Sequence, residues 1–132
     1  MKEPVWIDME DALSFHEEML VRFGGLPGVR GMDLLDSPLN RPRQQFAYGQ
    51  PELFDLAAAY AAGIIQNHPF LDGNKRAGFV GAALFLEVNG YSFRAPEEEV
   101  VVQTLGLAAG EIPVQAYARW LKSSSERGQT KQ

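Results

Sequence analysis

Nine consecutive residues, His68-Pro69-Phe70-Leu71-Asp72-Gly73-Asn74-Lys75-Arg76, carry the side chains of this chain best suited to chemistry on a phosphate. His68 exchanges a proton near neutrality and can act as a base toward a hydroxyl. Asp72 can cap a helix or hold Mg²⁺ through one oxygen. Gly73 and Asn74 allow the tight backbone that aims N–H groups at an anion. Lys75 offers a point charge, and Arg76 a planar fork for phosphate oxygens. Each residue also has a plainer reading: a histidine bonded to a loop carbonyl, a capping aspartate, an ordinary Gly-Asn turn, two solvated cations. Their conjunction in one bend is the informative feature. A base, a metal ligand, an anion cradle and charge neutralisation are the parts that phosphoryl or nucleotidyl transfer requires. No Walker-type glycine loop is present, which excludes a P-loop NTPase.

The elements around the bend must position these groups. Asp72 to Asn89 reads as a helix, apolar nearly all round and therefore central to its domain. Lys75 and Arg76 then fall in its first turn, where the helix dipole is already positive and cations are disfavoured. A bound anion removes the conflict, because free N–H groups, dipole and cations converge there. Upstream, Pro51 opens a helix that runs to about Asn67, and Pro69 ends it. Asp8 caps a first helix with Asp11 at its third position. Ala12, His16, Met19 and Phe23 share one face of it, with His16 read as a satisfied core histidine, and Gly24-Gly25 ends it. Leu26 to Gly31 is a Pro/Gly loop. Met32 to Asn40 is a short helical segment compromised by Pro38. Arg41 to Gln50 reads as an extended loop or hairpin, where Arg41 and Arg43 flank Pro42 and can reach a phosphate or a partner. Pro96 begins another helix, with Glu97, Glu98 and Glu99 solvated in its first turn, and Pro113 begins the last, Val114 to Lys122. The expected architecture is all-α: one compact domain over residues 1–122, built around one buried central helix, followed by a polar, frayed tail over 123–132.

Composition narrows the function classes. At 132 residues the chain makes one domain, and 45% hydrophobic content is ordinary for a globular protein. A net charge of −5 argues against a nucleic-acid binder, helix-turn-helix proteins included. Cysteine is absent, which removes disulfides and thiolate metal sites and fits the cytosol. The first residues lack the apolar run of a signal peptide, and Ala57 to Ile65 is too short to span a bilayer. A soluble, cytoplasmic protein is expected, with neither membrane nor direct nucleic-acid contact.

His68 to Arg76 resembles the signature of the Fic/Doc superfamily, His-x-Phe-x-Asp/Glu-Gly-Asn followed by Gly or Lys and then Arg, and every fixed position matches. Lys75 makes it similar to the Doc (death-on-curing) toxin branch. Phe23-Gly24-Gly25, Leu34 to Gln44 and Phe85 to Tyr91 also look like Doc, so the resemblance covers nearly the whole chain. It implies a Fic-type bundle with a short flap loop or hairpin that contains Arg41 and Arg43. It implies that His68 deprotonates a target hydroxyl and that Asp72 holds Mg²⁺ on ATP. Gly73, Asn74 and Lys75 would form the anion hole, and Arg76 would clamp phosphates. Most Fic proteins transfer AMP. They carry Gly where this chain has Lys75, and a second Arg three positions after the first, where this chain has Phe79. The Doc variant goes with transfer of the ATP γ-phosphate to a threonine of a translation elongation factor, which arrests protein synthesis. The resemblance therefore favours a toxin kinase of a toxin–antitoxin pair over an AMP transferase. The intact His68, Asp72 and Arg76 oppose a catalytically silent binding module. The inhibitory helix of many Fic proteins, Ser/Thr-x-x-x-Glu-Gly/Asn, has no full copy: Ser14 to Glu18 fits, but Met19 follows. Inhibition is thus expected in trans, from a Phd-like antitoxin whose C-terminal segment folds into a basic and apolar groove beside the active site.

Overall fold

In the computed structural model, which describes residues 2–128, the order of elements is α1 (Met9–Phe23), α2 (Met32–Tyr48), α3 (Leu53–Asn67), α4 (Asn74–Val88), β1 (Tyr91–Phe93), α5 (Glu97–Ala108), α6 (Val114–Ser123) and β2 (Ser125–Arg127). The protein is mainly helical, as expected. Local chemistry sets the helix starts. At α1, Asp8 Oδ1 accepts the Asp11 N–H at 2.9 Å and Asp11 Oδ2 accepts the Asp8 N–H at 3.0 Å, a reciprocal capping box. At α3, Asp55 Oδ2 accepts the Glu52 N–H at 2.9 Å.

The helix at the centre is α3, not α4. Phe54, Leu56 to Ala61, Gly63, Ile64 and Ile65 are all buried, whereas α4 exposes Lys75, Arg76, Glu87 and Val88. The alanines of α3 are small enough for neighbours to approach on several sides. A Cβ at Gly78 of α4 would lie 2.9 Å from the Ala61 carbonyl oxygen and 2.7 Å from Ile65 Cγ1, so the two helices touch nearly backbone to backbone there. Overall apolarity was a poor guide to centrality because α4 also lines a surface cleft with Phe79 and Val80.

The largest departure from the sequence expectation is α2. Residues 41–48 are helical rather than an extended loop or hairpin, and the helix runs through Pro38 and Pro42 without a break. Proline in a helix removes the N–H that would bond the carbonyl four residues earlier. For Pro38 that carbonyl belongs to Leu34, and Asn67 Nδ2 donates to it at 3.1 Å. Both prolines are buried, and Pro38 packs on α3 at Gly63, where an added Cβ would meet Pro38 Cβ at 2.7 Å. The compensation comes from a helix 33 residues away, out of reach of any local reading.

The tail is the second departure. Ser125–Arg127 pairs antiparallel with Tyr91–Phe93 (Tyr91 opposite Arg127), forming a two-stranded sheet instead of a frayed end. Residues 129–132 of the expected polar tail lie outside the described residues. Among the described residues no helix is long and apolar enough to cross a membrane.

Candidate active site

The site forms where α3 ends and α4 begins. The α3 chain stops at His68, which takes a left-handed conformation (φ 49°, ψ 56°) while its N–H still bonds the Ile64 carbonyl at 3.1 Å. It is the one non-glycine residue with positive φ among those described. For a residue with a Cβ this costs about 1–2 kcal/mol, and such strain persists where the surroundings over-determine it. Pro69 prevents any return to the helix, and the buried Phe70 anchors the bend. His68 itself is exposed. Its Nδ1 lies 3.3 Å from the Gln66 carbonyl oxygen. A carbonyl only accepts, so this contact puts the ring proton on Nδ1 and leaves the Nε2 lone pair free.

Asn74 does not aim its side chain at an anion. Its amide is buried and straddles the bend, accepting from the Phe70 N–H and donating to the Phe70 carbonyl, both at 2.9 Å. His16 does similar work from α1: its ring stacks on Phe70 at 3.8 Å between centroids, and Nε2–H donates to the Asp72 carbonyl at 2.8 Å. The core-histidine reading holds, with the refinement that His16 braces the motif turn. The α4 cap is Gly73 (φ 77°), with no side-chain cap. Asp72 therefore stands one residue too early to cap the helix. The first-turn N–H groups of Asn74, Lys75 and Arg76 have no intrahelical acceptors and point out of the helix end.

The Asp72 carboxylate faces the loop after α1. Oδ1 accepts the Gly73 N–H at 2.9 Å and Oδ2 accepts the Leu26 N–H at 3.2 Å. Close approach explains Gly25, where a Cβ would meet Asp72 Oδ2 at 2.9 Å. Two N–H donors leave lone pairs on both oxygens. No group of three or more His, Asp and Glu residues able to hold a metal occurs among the described residues. One oriented, exposed carboxylate with no protein cage fits Mg²⁺, which is commonly held by one or two carboxylates plus substrate phosphates.

Lys75 and Arg76 are exposed and have no carboxylate partner; the one ion pair among the described residues is Lys122–Glu52. The Arg76 guanidinium lies 3.9 Å over the Phe23 ring. Lys75 separates two clefts. One, of about 530 Å³, includes His68, Gln66 and Ile65. The other, of about 490 Å³, is an apolar trough of Phe23, Phe79, Phe93, Val101 and Leu105 with Lys75 and Arg76 in its wall. Imidazole and cations thus border connected surface around the free end of α4.

Arg41 and Arg43 do not join this constellation. Arg43 sits 5.4 Å from the Trp6 ring, and Arg41 lies on α2 against Gly63. Neither lines the clefts of His68, Lys75 and Arg76. The segment that lies along the motif is Gly24 to Gly31: Val29 forms an antiparallel bridge with Phe70, Leu71 N–H bonds the Gly28 carbonyl at 3.0 Å, and Arg30 Nη1 donates to the His68 carbonyl at 2.8 Å. The expected flap position is thus helical, and this loop occupies the motif's side. Sequence reasoning passed over Arg30, Phe23 and Asn67. Phe23 alone carried a local signal, as an aromatic closing an apolar face immediately before a Gly-Gly stop.

Residues 6–86 match the model of the Fic/DOC family. The chain is 34% identical over 118 residues to "Protein kinase doc" of Escherichia phage P1, covering 88% of this chain and 92% of that protein. It is 39% identical over 93 residues to "Toxin Doc" of Mycolicibacterium smegmatis, covering 68% of each. With the family match spanning His68 to Arg76 and more than half of the sequence, this chain belongs to the Fic/DOC family.

Proposed function

We propose that this protein is a Doc-type toxin kinase, which transfers the γ-phosphate of ATP to a protein hydroxyl, a threonine of a translation elongation factor, and so arrests translation. The observation that carries the reading is the free end of α4: Lys75, with no carboxylate partner, lines the same cleft as an exposed imidazole with a free Nε2, and Arg76 lies in the adjoining trough at the same uncapped helix start. The name of the phage relative supports the kinase activity, and both relatives' names support the toxin class by analogy. In this reading His68 Nε2 takes the proton as the target oxygen bonds to the γ-phosphorus and ADP leaves. The free first-turn amides of Asn74 and Lys75 hold phosphate oxygens with the dipole of α4 behind them, while the Gly73 N–H, taken by Asp72 Oδ1, shapes the turn that presents them. Arg76 leaves its stack on Phe23 to clamp phosphate, exchanging a cation–π contact of about 0.5–1 kcal/mol for charge-assisted hydrogen bonds. Asp72 holds Mg²⁺, which when bound neutralises phosphate charge.

Phe79 bears on the choice of transferred group. Its ring packs edge-on against Phe93 at 5.4 Å, so the position that would carry a second phosphate-binding arginine is part of an apolar wall. That wall also suits a partner. Phe23 is 58% exposed, Val101 48% and Leu105 49%, beside two unpaired cations. An amphipathic helix with an acidic residue, as a Phd-like antitoxin would supply in trans, matches this trough. The deciding experiment incubates the protein with cell extract and ATP labelled at the γ or at the α position. Label from the γ position alone supports the kinase, and label from the α position assigns AMP transfer. Equal activity with and without the candidate antitoxin would remove the partner assignment.

A further inference from the structure

His68 is strained, and one side chain from outside the motif bonds its peptide group. That side chain is Arg30. The other contacts of the Gly24–Gly31 loop fall beyond His68: Arg30 N–H bonds the Pro69 carbonyl, Leu71 N–H bonds the Gly28 carbonyl, and Val29 bridges Phe70. These backbone bonds fix the loop against residues 69–71. Only the guanidinium reaches one residue further, donating from Nη1 to the His68 carbonyl oxygen at 2.8 Å. On the other side, the His68 N–H is tied to Ile64 of α3. The left-handed residue is thus held at its N–H by the helix it ends and at its carbonyl by Arg30. Rotation of that backbone would swing the Cα–Cβ bond, and with it the imidazole, away from the free end of α4.

We propose that Arg30 is a positioning residue for His68: its guanidinium locks the strained His68 backbone so that Nε2 faces the transfer site. The proposal rests on His68 acting as the base. Arg30 is exposed and hydrogen-bonds a backbone carbonyl rather than packing in the core, so the lock is separable from the fold.

The test uses the full chain and two substitutions. Arg30→Met keeps the aliphatic stem and removes every donor. Arg30→Lys keeps a donor able to reach the carbonyl. Transfer of γ-label from ATP into cell extract is followed against ATP concentration. Arg30→Met is expected to lower the rate at saturating ATP by roughly tenfold to a hundredfold, a cost typical of misplaced catalytic groups, with half-saturation unchanged within about twofold. Arg30→Lys recovers most of the rate. In parallel, NMR of His68, through its carbonyl-carbon shift and φ-dependent coupling, is expected to lose the left-handed signature in Arg30→Met and keep it in Arg30→Lys. An unchanged His68 signature in Arg30→Met overturns the proposal. So does a raised half-saturation with an intact saturating rate, which would make Arg30 a phosphate ligand. Loss of the folded spectrum in Arg30→Met also overturns it, by making Arg30 structural. If the wild-type protein transfers no label, the functional reading fails, while the NMR comparison still decides whether Arg30 sets the His68 backbone.

Discussion

Helix α2 and the first turn of α4 both break a helix rule, and they resolve the breach in opposite ways. In α2 the breach is proline, and at Pro38 the protein repairs it internally: Asn67 supplies the hydrogen bond that Pro38 withholds from Leu34. At α4 the breach is two cations at the positive end of the dipole, and no carboxylate, side-chain cap or buried partner answers it among the described residues. A local conflict settled inside the chain is architecture. One left open at the surface beside an exposed histidine and an oriented carboxylate marks a place for a ligand. The two regions are also adjacent, since Asn67, which bonds α2, immediately precedes His68.

The comparison can be broken at several points. The largest expected effect is at the open end: His68→Ala should reduce transfer by about 10²–10⁴-fold while shifting stability by no more than about 1 kcal/mol, since the position is exposed and alanine carries the same left-handed strain as histidine. Label transfer and a denaturant titration of the same sample check this; comparable loss in both would make His68 structural. Next come groups satisfied internally. Burial pushes the Tyr117 hydroxyl from 10.0 up to about 12, partly opposed by its hydrogen bond to Thr104, and burial likewise pushes Tyr60 up to about 12. A raised folded-state pKa means the neutral form is favoured in the fold. The corresponding stability is fully present below pH 10 and is lost as pH rises toward 12, by roughly 3 kcal/mol for Tyr117. Unfolding measured across that range should show the fall, and Tyr117→Phe should remove the Tyr117 share of it while the Tyr60 share remains.

At α2, Asn67→Ala should cost about 1–3 kcal/mol by stranding the Leu34 carbonyl. In a Pro38→Ala background the cost should shrink, because the N–H restored at position 38 can bond Leu34 itself. Additive costs in the double-mutant cycle would disprove the internal repair. The smallest effect has the opposite sign. Lys75→Gln should raise stability by about 0.3–1 kcal/mol by removing a cation from a helix start, while weakening transfer. A residue that costs stability and supports activity is what an open breach implies.

The motif was legible because its signals are local. His68, Asp72, Gly73, Lys75 and Arg76 lie within nine residues, and the clash between charge and dipole can be read from spacing alone. The capping box of α1 and the terminal prolines of α5 and α6 are equally local, and the helices they begin lie where spacing puts them. What spacing could not supply was any contact made across the chain. Tertiary structure alone decided that α2 survives its prolines, that Ser125–Arg127 pairs with β1, and that α3 rather than α4 is central. It also moved the loop beside the motif from residues 41–50 to Gly24–Gly31, sent Arg43 to Trp6, and brought Arg30 to His68. Periodicity and capping act within a few residues and are written in neighbouring letters. The donor that repairs a proline, or the guanidinium that holds a strained histidine, comes from wherever the packed chain brings it, and that is determined only when the helices have found one another.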